Sequence, residues 1–484
     1  MKVNQSVLAL LLAGVSAVKL PAQTLQTLCS FVGTNGSYPA AALTLGNDGN
    51  FYGSTVAGGI TNTPYNSIYT EGTGTIFRVT TNGALTTLVF FNSTNGAQPC
   101  AALTLGADGN FYGTTSSGGN LNLNSGTGYG TVFKVTINGT LTPLVYFNGV
   151  NGAYPDGALT LGSDGNFYGT TSGGSIDWGT VFKVTTHGML TTLVSFARTN
   201  GAYPYASLTL GTDGNFYGTT FYGGSHGGYD GYGTVFKVTT NGSLTTLVSF
   251  NNTNGAHPFT ALTLGSDGNF YGSTSVGGIT NSIYPNGMGT VFKVTTNGTL
   301  TTLLSFTGTN GAYPRAMLTL SAEGNFYGST WVGGITNSTR TNGYGTVFKV
   351  TTNGTLTTLI YFNNTNGAYP GAGLTLGADG NFYGTSGNIA NYVLTRTSGM
   401  GTVFRLLIPP VVPPTMTLQL LAGYPVLTLK GMLNNDFVVQ YSTNLTDTNW
   451  INLLSLTNLS SSPYLFLDPA GADQPSRFYR AYMH

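Results

Sequence analysis

The tripeptide Phe-Tyr-Gly occurs seven times, beginning at Phe51, Phe111, Phe167, Phe216, Phe270, Phe326 and Phe382. The segment GTVFKV, or a close variant, also occurs seven times, with its aromatic at Phe77, Phe133, Phe182, Phe236, Phe292, Phe348 and Phe404. The period is about 54 residues. Self-similarity at that spacing means one supersecondary unit used repeatedly. A consensus copy reads ALTLGSDGNFYGTT, a variable loop, GTVFKVTTNGTLTTLVSF and then NTNGAYP.

Each copy holds four strand signals. ALTLG alternates, NFYGTT follows it across Asp-Gly, GTVFKV is third, and LTTLVSF follows across Asn-Gly. Both dipeptides suit type I′ hairpin turns. No 3.6-residue apolar period argues for helix. Four antiparallel strands per copy predict an all-β fold, a β-propeller of seven blades. The seventh copy runs from GTVFR into LLIPP and lacks its fourth strand, while an unassigned strand, LQTLCSF, lies at Leu25–Phe31. Closure of the ring by that N-terminal segment would complete blade seven and leave no open seam. Stacking would bury the Phe and Val of GTVFKV and the leucines of ALTLG, each large side chain contributing roughly 1.5–3 kcal/mol.

Charge is scarce, with 16 Lys+Arg and 15 Asp+Glu for a net of +1. Charged residues make up 6%, against about 25% in an average soluble chain. That excludes a nucleic-acid partner, which needs a basic face. Aromatics at 12% exclude disorder. Fourteen of the charges fall in two columns. Acids occupy the Asp-Gly turn at Asp48, Asp108, Asp164, Asp213, Asp267, Glu323 and Asp379. Cations occupy strand three at Arg78, Lys134, Lys183, Lys237, Lys293, Lys349 and Arg405. The two columns should meet on one face of the ring. They read either as turn carboxylates beside snorkelling cations or as a sevenfold ion-binding ring.

The N-terminus reads as a signal peptide over residues 1–22, with Lys2 before the apolar run Val7–Val18. The run is too short for a membrane span and no later stretch is long enough, so an exported protein, extracellular or at the cell surface, is expected. Cys29 and Cys100 read as small apolar packers rather than as a disulfide framework.

The face opposite the charge columns should carry both the NGAYP connections and the loops between strands two and three, which vary from 9 to 20 residues. Binding residues sit on such loops when a rigid scaffold supports them. The irregular aromatics there are Tyr65, Tyr69, Tyr129, Trp178, Tyr222, Tyr229, Tyr232, Tyr284, Trp331, Tyr344 and Tyr392. Trp178, Tyr222, His226, Asp230, Tyr232 and Trp331 are the candidate ligand-binding residues, since aromatic planes beside polar tips suit sugar rings or peptide surfaces. The competing reading is that these rings pack against their own loops. No HExxH, CxxC or clustered His and Cys is present, so no metal and no cofactor is expected. There is no GxSxG elbow, and no catalytic residue is assigned. Glu71, Asp156, Asp177 and Asp230 are the non-repeat acids of this face, and a pair such as Asp177 and Asp230 could do acid–base work.

The propeller is assigned to 24–407, a stiff Pro-rich linker to 408–414, and a small β-sandwich with about six short strands to 415–484, with Trp450 as a core residue. Arg477 and Arg480 read as caps on strand ends.

ALTLGxDGNFYGTTxxGG followed by GTVFKVTTNGTLTTLVSF resembles the GloVer (Gloeo-Verruco) tandem repeat of exported bacterial proteins, over residues of about 25 to 405. The resemblance implies varied C-terminal sorting or anchoring segments and no catalytic residue set. FVVQYSTNLTDTNW followed by SRFYRAY is similar to a C-terminal β module of exported proteins from related bacteria. The expected function is a non-catalytic binding or scaffold protein whose long-loop face takes an extracellular glycan or surface protein, with the C-terminal module for anchoring or presentation. The alternatives are a propeller polysaccharide lyase or hydrolase, and a structural component of the cell envelope.

Overall fold

The computed structural model describes residues 23–59, 72–174, 178–228, 230–336, 341–387, 400–408, 415–421, 424–430, 437–443, 450–456, 464–468, 470 and 477–483. The expected signal peptide, the linker, and Tyr65, Tyr69, Glu71, Asp177, Tyr229 and Tyr392 lie outside the described residues. The chain is all-β and forms two compact units, Leu25–Leu407 and one holding Ile408–His484.

Among the described residues the first unit shows seven antiparallel sheets, one per repeat. The first sheet is built from Thr44–Leu45, Phe51–Thr55, Thr75–Val79 and Leu85–Phe90. Sheets two to six follow the same order, and the sixth gains a fifth strand, Ala312–Pro314. The seventh takes Thr375–Leu376, Phe382–Ser386 and Thr402–Leu407, and its outer strand is the N-terminal segment Thr24–Ser30. The expected loan of the first strand to the last repeat is present.

The turns differ from expectation. At Asp48-Gly49 only the glycine has positive φ, at 76°. Gly46 N–H donates to Asn50 O, and Gly49 N–H to Gly46 O. That is a three-residue hairpin loop with its glycine left-handed, not the two-residue type I′ turn, which needs positive φ at both positions. Asn82-Gly83 repeats the pattern. In sheets one to six the pairing of strands three and four also carries a bulge just before the strand-three Phe.

Two sets of contacts join each sheet to the next. The Tyr of each Phe-Tyr-Gly packs on the Phe of the following one, as in Tyr52–Phe111 at 4.2 Å between centroids and Tyr327–Phe382 at 4.3 Å. Tyr383 then meets Phe51 at 4.0 Å. Such aromatic pairs add about 0.5–1.5 kcal/mol beyond area burial. The second set is a belt on the first strands. Each threonine hydroxyl donates to a leucine carbonyl of the next sheet, from Thr44 to Leu103 at 2.6 Å through Thr319 to Leu374 at 2.5 Å. Thr375 donates to Leu43 O at 2.6 Å, so the belt returns to its start.

The second unit holds two three-stranded sheets. One orders Thr415–Leu421, Tyr424–Lys430 and Tyr464–Leu467, and the other Ile451–Leu456, Phe437–Ser442 and Phe478–Met483. Leu427 and Leu429 of the first share a buried cluster with Phe437 and Val439 of the second. Trp450 is not in that cluster. It is half-buried beneath the Arg480 guanidinium, 4.4 Å from its ring centroid. Arg477 is buried, paired with Asp468 at 3.1 Å and set over the Tyr441 ring at 3.6 Å.

Candidate functional site

The two ends of the repeat sheets differ in chemistry. At the Asp-Gly turns the carboxylates are consumed locally. Asp108 accepts from Asn110, Tyr112 and Lys134 at 2.8, 2.9 and 2.9 Å. Lys183–Asp164 and Lys237–Asp213 close at 2.8 Å. Burial alone would raise these carboxyls. The lysine, asparagine and tyrosine donors outweigh it and hold Asp108, Asp164 and Asp213 well below the usual carboxylate range. With their oxygens occupied by the same hairpin, these acids act as turn anchors. Among the described residues no group of three or more His, Cys, Asp or Glu is placed to hold a metal.

The other end is built by the connections between sheets. Each runs Asn-Gly-Ala-Tyr-Pro or a variant, and the residue at the tyrosine position is left-handed: Tyr38, Gln98, Tyr154, Tyr203, His257, Tyr313 and Tyr369 have φ of 52–57°. That conformation costs an L-residue about 1–2 kcal/mol. It is held by the backbone on both sides. Tyr203 N–H donates to Trp178 O and Tyr203 O accepts from Phe221 N–H, while Tyr38 N–H donates to Met400 O. The preceding alanine pairs with the start of the long loop, as in Ala97–Ser117. Connections and long loops therefore occupy one end, as the sequence implies.

The kink and the proline after it set the next side chain at the entry to the first strand. Here the repeat stops repeating. The residues are Ala40, Cys100, Asp156, Tyr205, Phe259, Arg315 and Gly371, between a constant Pro and a Leu three places on. Three neighbouring pairs in this series touch. Cys100 Sγ lies 3.7 Å from Asp156 Oδ1, Tyr205 stands 5.5 Å from Phe259, and Arg315 lies 5.8 Å from the Phe259 ring. The residue that follows FYG and two small hydroxyl residues joins them. Ser172 Oγ donates to Asp156 Oδ2 at 2.6 Å, Phe221 packs on Tyr205 at 5.5 Å, and Trp331 lies 4.2 Å from the Arg315 guanidinium. Burial pushes the Asp156 carboxyl up to about 6, against the lowering effect of the Ser172 and Cys100 hydrogen bonds.

The six sequence candidates fall into three groups. Trp331 belongs to this inner cluster through Arg315. Tyr222 borders it, packed on Phe221 at 4.7 Å and His257 at 5.0 Å. Trp178 and Tyr232 are half-buried wedges between their own loop and the next connection, against Tyr203 at 5.4 Å and His257 at 6.4 Å. His226 and Asp230 are exposed further along the loop, His226 beside Ser225 and Asp230 3.8 Å from Arg198. Tyr129 and Tyr284 are wedges too, against Tyr154 and Tyr313. Tyr205, Phe221, Phe259 and Arg315 were not anticipated. Aligning the seven connections would have exposed Tyr205, Phe259 and Arg315 as one non-repeating column inside a fixed-length motif, and aligning the residue after FYGTT would have exposed Phe221. A shallow, open cavity of about 300 Å³ lies elsewhere, lined by Thr94, Gly119, Asn120 and Tyr146.

Among the described residues, repeat-built four-stranded sheets with one variable end define a tandem-repeat all-β protein. The chain belongs to the Gloeobacter/Verrucomicrobia repeat family, matching it over residues 14–127, 123–339 and 278–422. No curated relative matches it. Among solved structures it is similar to the extracellular domain of a hybrid two-component system of B. thetaiotaomicron, at 12% identity and TM-score 0.48, covering 96% of this chain and 55% of that one. It is also similar to the polysaccharide lyase Uly1, at 10% identity and TM-score 0.48, covering 80% and 99%. A family 43 arabinoxylan arabinofuranohydrolase from Bacillus subtilis follows at 11% identity and TM-score 0.32, covering 95% of each. Likenesses at this level bear on neither ligand nor activity. No helix among the described residues is long and apolar enough to cross a membrane.

Proposed function

We propose that the chain is an exported seven-bladed β-propeller that binds a glycan at the variable end of its ring, with a C-terminal β-sandwich for anchoring or presentation. The returning threonine belt and the Tyr383–Phe51 contact support closure. The apolar run Val7–Val18 behind Lys2 supports export. One observation carries the binding reading. Tyr205, Phe221, Phe259 and Trp331 come from three successive repeats, break the repeat pattern, and form one cluster with Arg315. Flat apolar faces beside hydrogen-bonding tips match the two-sided chemistry of a sugar ring. The test is a glycan array with the full-length chain, followed by calorimetry of the hits. Phe259→Ala and Trp331→Ala should each weaken binding at least tenfold. A blank array, or hits indifferent to both substitutions, would refute the assignment.

A second reading rests on Asp156. A carboxyl held at about 6 beside Ser172 can keep a proton near neutrality, which a general acid in a lyase or hydrolase requires. It predicts turnover on a polysaccharide panel, abolished by Asp156→Asn.

A further inference from the structure

We infer that the glycan taken by this cluster is an acidic one, and that Arg315 reads the carboxylate of a uronic acid residue. The inference rests on the glycan-binding reading above. Most described cations already have partners. Lys134, Lys183, Lys237, Lys293 and Arg405 face turn aspartates, and Arg198 faces Asp230. Arg315 is exposed and has no ion pair or hydrogen bond among the described residues. Its guanidinium sits 4.2 Å from the Trp331 centroid and 5.8 Å from that of Phe259. A guanidinium set over an aromatic ring spends no hydrogen bond there, so its N–H groups remain to donate. Those groups form a fork that matches a carboxylate bidentately.

The fold does not need a cation there. The equivalent residue is alanine, cysteine, aspartate, tyrosine, phenylalanine or glycine in the other six repeats. The placement suits one carboxylate on a flat ring: Arg315 lies against both Phe259 and Trp331, and Tyr205 extends the aromatic surface from Phe259. A phosphate-rich ligand would call for several cations, and this cluster holds one. Asp156, the acid of the same series, lies beyond Tyr205 and is engaged by Ser172 and Cys100.

Calorimetry with oligogalacturonate, alginate oligosaccharides and glucuronoxylan oligosaccharides tests the inference, each against its carboxyl-reduced form, on wild type, Arg315→Gln and Arg315→Lys. At least one uronate should bind wild type more tightly than its reduced form. Arg315→Gln should lose about 10- to 100-fold on the uronate and leave the reduced form unchanged. Arg315→Lys, which keeps the charge but not the fork, should fall between. If a sugar binds wild type and its reduced form equally, or Arg315→Gln leaves uronate affinity intact, the acidic selectivity is wrong and the glycan reading stands. If no sugar of either kind binds and the array is blank, both fall together.

Discussion

The sharpest test of ring closure is Phe31→Ala, because a closed ring of equivalent repeats has no terminal member. Phe31 follows the borrowed N-terminal strand and is 3% exposed. Its ring meets Phe77 of the first sheet edge-on at 5.0 Å, and its N–H donates to Gly401 O of the seventh repeat at 2.9 Å. Phe196 is its counterpart inside the chain: 2% exposed, 5.1 Å from Phe236, with its N–H on Gly179 O at 2.9 Å. Truncating a buried Phe to Ala costs about 3–5 kcal/mol. With about 2.1 cal/mol/K of unfolding entropy per residue, that cost lowers the melting midpoint of a unit the size of Leu25–Leu407 by about 4–6 °C. Phe31→Ala and Phe196→Ala should therefore melt together, both below wild type, in parallel calorimetric scans. An open array gives another result. Phe31 would then lie at a fraying end, and its truncation would cost well under about 1 kcal/mol while Phe196→Ala kept its full effect. That split outcome would refute closure even with every repeat folded.

Three further outcomes follow from single sites. The folded protein holds the Asp156 proton more tightly than the unfolded chain does. That stabilisation is complete below about pH 4 and is lost as pH rises through about 6, so wild type should lose about 1–3 kcal/mol from pH 4 to 7 relative to Asp156→Asn, read from paired melts. The turn aspartates have the opposite sign, since their lowered pKa values remove stability only as pH falls below the ordinary carboxylate range; Lys183→Met should blunt that acid limb and cost no more than about 1 kcal/mol at neutral pH. In the C-terminal unit, Arg477→Met leaves Asp468 buried without its cation and should cost about 3–5 kcal/mol by denaturant unfolding, whereas Arg477→Met with Asp468→Leu should recover most of that loss.

The repeated four-stranded sheets were legible because every copy spells the same contacts. A Phe-Tyr-Gly repeated seven times puts a Tyr–Phe pair at each sheet boundary, and two strict columns of opposite charge meet at one hairpin. The turn geometry was not legible from Asp-Gly and Asn-Gly alone. Each dipeptide serves both the two-residue turn and the three-residue loop, and the hydrogen bond that decides between them closes one residue later, at Asn50 or Ala84. The placement of the candidate residues was half legible. Trp331 stands at the variable end as expected, but Trp178 and Tyr232 pack about 25 residues downstream, on Tyr203 and His257, across a sheet boundary that loop composition does not reveal. Phe259 and Arg315 escaped notice because they sit in a connection of constant length, where attention to loop variability does not reach. Trp450 followed the rule that a lone tryptophan is core, and the Arg480 head that covers it comes from another strand.

The contrast between the two ends follows from how stability is distributed. Every sheet boundary is held by the same threonine hydrogen bond and the same aromatic pair, so no residue of the variable series is needed to close a sheet. Gly371 shows this directly, since a Cβ added there would meet nothing within 4 Å, whereas at Gly157, one residue past the Asp156 position, it would strike the Ala206 backbone at 2.8 Å. The series residues thus vary without changing the contacts that join the sheets, while residues beside them such as Gly157 are fixed by packing. The left-handed kinks before them carry strain of about 1–2 kcal/mol each, and that strain is confined to the end where the free side chains emerge. A fold that needed only to be stable could relieve it with glycine at Tyr203 or Tyr313. Keeping large side chains there, each braced against an aromatic of the loop before it, makes a stiff rim for the varied residues it holds. Under the proposed glycan-binding reading, such rigidity would reduce the entropy lost on binding, a gain that would offset the strain repeated at each connection.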